Sequence, residues 1–155
     1  MMQLSQILQP DAVKTIASCT SKKRLFHDVG EMAENCYGLK PSSVIEALNE
    51  RENLGPTGVG MGVALPHARL AGVDGVKGIF LRLEKPLNFD AVDRQPVDLV
   101  FALIAPESAG VEHLKALALV SRTFRNPAVC AKLRANSDPV TLFTILTALE
   151  SSQAA

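Results

Sequence analysis

The chain is 155 residues long, carries 16 basic and 16 acidic side chains for a formal net charge of zero, and is 47% hydrophobic. That length suits one domain, residues 1–155, with a proper buried core, and the composition excludes disorder. Balanced charge without a long basic stripe excludes the phosphate-neutralising surface that a nucleic-acid partner needs, and the short run Ser21-Lys22-Lys23-Arg24 reads as a solvated helix start.

No apolar run approaches the roughly 20 residues of a membrane helix, and residues 1–8 lack the basic and apolar regions of an export leader, so neither secretion nor membrane insertion is expected. Cys19, Cys36 and Cys130 are odd in number and show no C-x-x-C spacing, which suits reduced thiols in the cytoplasm.

In chain order, a short strand is expected around Val13 to Ile16. Leu25, Val29, Met32 and Cys36 recur at helical spacing and predict a helix over about 22–36, stopped by Gly38. Pro41 then opens a second helix through Val44, Ile45 and Leu48 that ends in the charged segment Asn49 to Asn53. From Gly55 to Gly62 four glycines fall in eight residues, which marks a loop with unusual backbone angles. Val63-Ala64-Leu65 reads as a strand that Pro66 ends, leaving His67 at the sheet edge and open to the surface.

Two apolar runs, Gly78 to Leu83 and Val97 to Ile104, are the best strand candidates, joined by a polar connection over 87–95. Leu114, Leu117, Val120 and Phe124 then predict an amphipathic helix with His113 in its first turn, ended by Asn126-Pro127. Val129, Cys130 and Leu133 make one or two further turns. Asp138-Pro139 caps a last helix carrying Leu142, Phe143, Ile145, Leu146 and Leu149. Helices around a few apolar strands define an α/β layered fold, although the strand order is not legible.

A histidine that accepts a phosphoryl group needs a neutral, accessible ring nitrogen, donors for the incoming oxygens and a partner that sets its tautomer. His67, directly after the glycine-rich stretch, is the candidate acceptor. Backbone amides at Gly58, Gly60 and Gly62, beside Thr57, offer an anion-binding nest. Arg51 offers a bidentate fork, and His113 a ring donor near free helix N–H groups. Spacing alone leaves both open, because an arginine beside a loop is more often a surface charge and a histidine in a first turn more often a cap.

The glycine pattern is no nucleotide motif, since it lacks the Gly-Lys-Ser/Thr ending of a phosphate-binding loop and has Val63 where a dinucleotide fingerprint needs its third glycine. No compact ligand motif supports a metal site built from His67, His113 and Glu112, and no cofactor is expected. Cys36 and Cys130, on apolar helical faces, read as small hydrophobes rather than nucleophiles.

The run from Arg51 through Gly55-Pro56-Thr57-Gly58-Val59-Gly60-Met61-Gly62 to Leu65-Pro66-His67 resembles the active-site signature of the fructose/mannitol-type enzyme IIA domains of the bacterial phosphotransferase system, and their nitrogen-regulatory branch in particular. The likeness continues through Phe89 to Leu103 and His113 to Val120, so it spans nearly the whole chain. It implies a central mixed sheet of about five strands flanked by helices on both faces. It also implies that His67 accepts phosphate from a histidine phosphocarrier protein, with Arg51 and His113 binding the phosphoryl oxygens. Two departures stand beside the site: Met61 occupies a position where that branch often has a small polar residue, and Ala68-Arg69 stand where Gly-Lys is common.

Three functions follow from the resemblance. One is a nitrogen-related phosphocarrier whose phosphorylation state regulates partners such as potassium-transport proteins or sensor kinases. Another is a binding module whose output is partner binding alone. The third is a sugar-specific enzyme IIA that passes phosphate to a IIB cysteine.

Overall fold

The computed structural model describes the backbone of residues 2–154 and the side chains of residues 2–148. The elements run α1 (Leu4–Ile7), β1 (Leu8–Ile16), α2 (Lys22–Tyr37), α3 (Pro41–Leu54), β2 (Gly58–Gly60), β3 (Val63–Ala64), β4 (His67–Leu70), β5 (Lys77–Leu87), β6 (Val97–Pro106), α4 (Gly110–Phe124), α5 (Pro127–Arg134) and α6 (Pro139–Ala154). The strands form one sheet in the order β1-β5-β6-β3-β2, with β4 also paired to β6. It is mixed: β1 lies parallel to β5, β5 antiparallel to β6, and β3 and β4 parallel to β6.

Strand β6 is apolar without alternation because it is covered on both faces, and every residue from Leu99 to Ala105 is buried. Phe80 of β5 stands opposite Phe101 of β6, and both rings lie 5.8 Å from Phe124 of α4. Two residues along β5 on the same face, Arg82 donates to the Leu133 and Arg134 carbonyls at 3.1 and 2.6 Å and so closes the end of α5. The intervening residues Ile79, Leu81 and Leu83 turn to the other face, where α2 packs on β1 and β5 with Leu25, Phe26 and Val29 fully buried.

The helix limits follow local signals. Ser21 caps α2 by accepting the Arg24 amide at 3.1 Å, and Gly38 ends it at φ +69°, a left-handed turn that favours glycine. Pro41 and Pro127 stand in the first turns of α3 and α5. Leu142 and Leu146 anchor α6, while the Leu149 side chain lies outside the described residues.

The sheet has six strands where about five were expected, and the difference lies around the glycines. Gly58–Gly60 is itself a strand, β2, laid antiparallel on β3, because ladder hydrogen bonds override the poor strand propensity of glycine. Pro66 does not end the strand line but interrupts it: its carbonyl accepts the Leu103 amide at 2.9 Å, and β4 resumes at His67. At the N-terminus β1 starts at Leu8 rather than near Val13, with an irregularity between those residues that masks the alternation. The four-residue helix α1 carries too few periodic positions to be legible in the sequence. Among the described residues no helix is long and apolar enough to cross a membrane, and Cys19, Cys36 and Cys130 are free.

The contact of Phe101 with Phe80 and Phe124 ties the sheet to α4, so Phe101→Ala should lower the unfolding free energy by about 3–5 kcal/mol, measured by urea denaturation.

Candidate functional site

His67 opens β4, opposite Leu103 of β6. Leu103 and Phe101 share the α4 face of the sheet, so strand alternation turns His67, and Arg69 after it, toward α4. There the His113 ring lies 5.6 Å from the His67 ring, centroid to centroid. From the other side α3 brings Arg51 in its last turn, with Nε donating to His67 Nε2 at 3.2 Å and Nη1 donating to the Gly55 carbonyl at 3.0 Å. The three side chains come from α3, β4 and α4, and they line one cleft of about 400 Å³ together with Glu50, Leu54 and Arg69. A larger groove of about 950 Å³, between α1, the β4–β5 turn and α4, is lined by none of the candidate phosphoryl-site residues, although Glu112 borders it.

His67 Nδ1 lies 2.9 Å from the Leu65 carbonyl, which can only accept, so Nδ1 carries the ring proton. Nε2 then keeps its lone pair, consistent with the Arg51 N–H pointing at it. Burial pushes the His67 imidazole below its ordinary pKa of 6.5, and Arg51 adds to this, while the Leu65 carbonyl and the Glu52 carboxylate act in the opposite sense. His67 is thus half-buried and neutral at pH 7, rather than open to the surface.

His113 is 5% exposed, not the surface or capping residue that a first-turn histidine commonly is. Burial holds its pKa low, and repulsion from His67, whenever that ring is protonated, and from Arg69 acts in the same direction. Its Nδ1 is buried with no hydrogen-bond partner among the described residues, a costly arrangement that calls for a functional explanation.

Thr57 and the glycines are committed elsewhere. The Thr57 amide and hydroxyl both donate to the Glu52 carboxylate, the hydroxyl at 2.7 Å. In register, Val63 stands against Leu99 and His67 against Leu103, so at about 3.3 Å per residue the turn before Val63 lies roughly 13 Å along β6 from the histidine. Gly60 and Gly62 flank that turn. It is instead clamped by Arg134, which forks onto Asp98 at 2.9 Å and donates to the Met61 carbonyl at 2.8 Å, while Asp93 accepts the Met61 amide at 2.9 Å. Gly62 sits at φ +78°, which favours glycine, and an added Cβ would meet Arg134 Nη2 at 2.5 Å and Asp98 Oδ1 at 3.0 Å and so disturb that ion pair. A Cβ on Gly58 would meet Ala91 at 2.8 Å. The glycines therefore serve the close packing of this hairpin against the 88–98 segment and α5. Glu52 was missed in the sequence; its adjacency to Arg51 and its five-residue spacing from Thr57 were the only signals.

A family model described as phosphoenolpyruvate-dependent sugar phosphotransferase system, EIIA 2, matches residues 6–148. A nitrogen regulatory protein of Bradyrhizobium diazoefficiens is 40% identical over 145 residues, covering 94% of this chain and 95% of that one. The crystal structure of nitrogen regulatory protein IIA-Ntr from Neisseria meningitidis superimposes with a TM-score of 0.85 at 39% identity, over 93% of this chain and 99% of that chain. The mannitol IIA of Escherichia coli shares the fold, with a TM-score of 0.75, at 18% identity over 89% of this chain and 97% of that one. The chain belongs to the type 2 enzyme IIA family of the phosphotransferase system, whose members are phosphotransfer components, and it fits the nitrogen-regulatory type.

The two depressed histidines give stability a pH dependence of definite sign. Below 6.5 the unfolded chain binds protons that the folded His67 and His113 refuse, so stability is full above 6.5 and is lost as pH falls through that value toward the folded pKa values. The urea midpoint should therefore drop between about pH 7.5 and about pH 5.5, and His67→Gln together with His113→Gln should flatten that dependence.

Proposed function

We propose that the chain is a phosphocarrier of the nitrogen-related phosphotransferase system, working in the cytoplasm and accepting a phosphoryl group on His67 from a histidine phosphocarrier protein. The observation that carries this reading is the neutral His67 ring, tethered at Nδ1 by Leu65 and presenting Nε2 to Arg51, with the His113 ring 5.6 Å away. The nearly full-length likeness to nitrogen regulatory proteins supports the branch.

In the transfer, the Nε2 lone pair attacks phosphorus in line with the donor's nitrogen. The donor N–P bond breaks, the new N–P bond forms at Nε2, and Nδ1 keeps its proton, which it goes on donating to the Leu65 carbonyl. The Arg51 Nε–H moves from Nε2 to a phosphoryl oxygen as that lone pair is consumed, and the buried His113 ring supplies a second donor. The positive charge of Arg69 in the same cleft adds electrostatic attraction. Once formed, the phosphohistidine places about two negative charges in a cleft lined by exposed Leu54. A partner with an apolar or acidic contact surface, such as a potassium-transport protein or a sensor kinase, then binds the unphosphorylated form and is released by phosphorylation.

Incubation with phosphoenolpyruvate, enzyme I and a histidine phosphocarrier, followed by intact-mass analysis, should give one acid-labile phosphoryl adduct in the parent and none in His67→Ala. Arg51→Ala and His113→Ala should slow adduct formation on the order of 100-fold. Absence of any adduct with carriers of both the sugar and nitrogen branches would overturn the reading. Transfer onward to a IIB cysteine would instead identify a sugar-specific enzyme IIA.

A further inference from the structure

We infer that Glu52 is a positioning residue for phosphoryl transfer: through Thr57, its buried carboxylate clips the end of α3 to the strand line carrying His67 and sets the groups on both nitrogens of that imidazole. The inference rests on the reading of His67 as the acceptor.

The Glu52 side chain is 7% exposed and is surrounded by donors. It accepts the Thr57 amide at 3.0 Å, the Thr57 hydroxyl at 2.7 Å and the Lys22 ammonium at 3.1 Å. Lys22 is itself placed by the Phe89 ring, 4.6 Å from its ammonium, and by Asp90 at 4.0 Å. A charge this deep is retained only with such compensation, and charge-assisted bonds of this kind are directional.

Two consequences reach His67. The clip from Glu52 to Thr57 encloses Gly55, whose carbonyl accepts Arg51 Nη1 and so aims Arg51 Nε at His67 Nε2. At the other end, the Thr57 carbonyl accepts the Leu65 amide at 2.9 Å, and the Leu65 carbonyl holds His67 Nδ1 at 2.9 Å. One carboxylate thus governs the residue aimed at Nε2 and the residue that sets the tautomer at Nδ1. Thr57, fully committed to Glu52 and Leu65, acts through these contacts.

The test compares the parent with Thr57→Val, Thr57→Ser and Glu52→Gln. The His67 ring is titrated by nitrogen NMR, and phosphorylation rates are measured against carrier concentration. Thr57→Val alters no charge. With the hydroxyl half of the clip removed and only the amide bond left, Arg51 is released from Nε2 and the His67 midpoint should rise toward 6.5. The maximal rate should fall on the order of 10- to 100-fold while the carrier concentration at half-maximal rate stays unchanged. Thr57→Ser, which keeps the hydroxyl, should restore both, and Glu52→Gln should show the same loss of maximal rate.

A purely structural role predicts a lower melting temperature for Thr57→Val, with midpoint and rate unchanged in the folded protein, and that result would overturn the inference. A Thr57→Ser chain no better than Thr57→Val would overturn it as well. If Thr57→Val does not fold, the rate of Glu52→Gln decides in the same way, an unchanged rate overturning the inference. A parent chain that takes up no phosphoryl group would sink the acceptor reading, while the NMR comparison would still decide whether the clip positions Arg51.

Discussion

The hydrogen bond from His67 Nδ1 to the Leu65 carbonyl is the contact on which the rest of the site depends. An imidazole has two nitrogens, and a neutral ring offers only one lone pair. By accepting the hydrogen bond from Nδ1–H, the Leu65 carbonyl keeps the ring proton on Nδ1, leaves the lone pair on Nε2 and orients that atom into the cleft. Leu65 can do this because Pro66 interrupts the strand line just there, so that the carbonyl two residues before the histidine turns to the ring instead of to a neighbouring strand. The site is thus an irregularity in an edge strand, held in place by a core strand buried on both faces.

The charge pattern around the ring suits a group that must stay neutral until it receives an anion. Burial disfavours imidazolium, and the Arg51 guanidinium disfavours it further, while the same guanidinium favours the phosphoryl oxygens. On the proposed reading of His67 as phosphoryl acceptor, one positive group suppresses protonation before the reaction and stabilises charge after it. His113, buried with an unpartnered nitrogen, completes the arrangement from the opposite layer of the fold. Convergence of α3, β4 and α4 explains why the cleft exists only in the assembled molecule.

The glycine-rich hairpin illustrates how a sequence pattern can be informative about place without being informative about role. Gly58, Gly60 and Gly62, in a glycine-rich stretch before a histidine, suggested a nest of amides around a phosphate, and the stretch does lead directly into the strand that His67 opens. In the fold, Gly58 approaches Ala91 and Gly62 lies under Arg134, so the small residues answer to packing against segments far along the chain. The Arg134 to Asp98 pair that clamps this hairpin spans 36 positions, and no local reading could anticipate it.

Much of the architecture was legible because it follows local rules. The periodicity of Leu25, Val29 and Met32, the capping Ser21 and the terminating Gly38 place α2 to within a residue, and the apolar run from Leu99 to Ala105 in β6 announces a strand covered on both sides. The residue types Arg51, His67 and His113 were equally readable as candidates, since the chemistry of phosphoryl acceptance demands a neutral imidazole and cationic or ring donors. What the sequence could not decide was which of these groups meet, which nitrogen of His67 is free and what Thr57 binds. Those outcomes depend on contacts 16 positions apart for Arg51 with His67, and 46 positions apart for His67 with His113 (113 − 67). Hydrophobic periodicity and capping act within a few residues, whereas the pairing of β4 with β6 and the packing of α3 and α4 on either side of that edge arise only when the whole sheet is assembled.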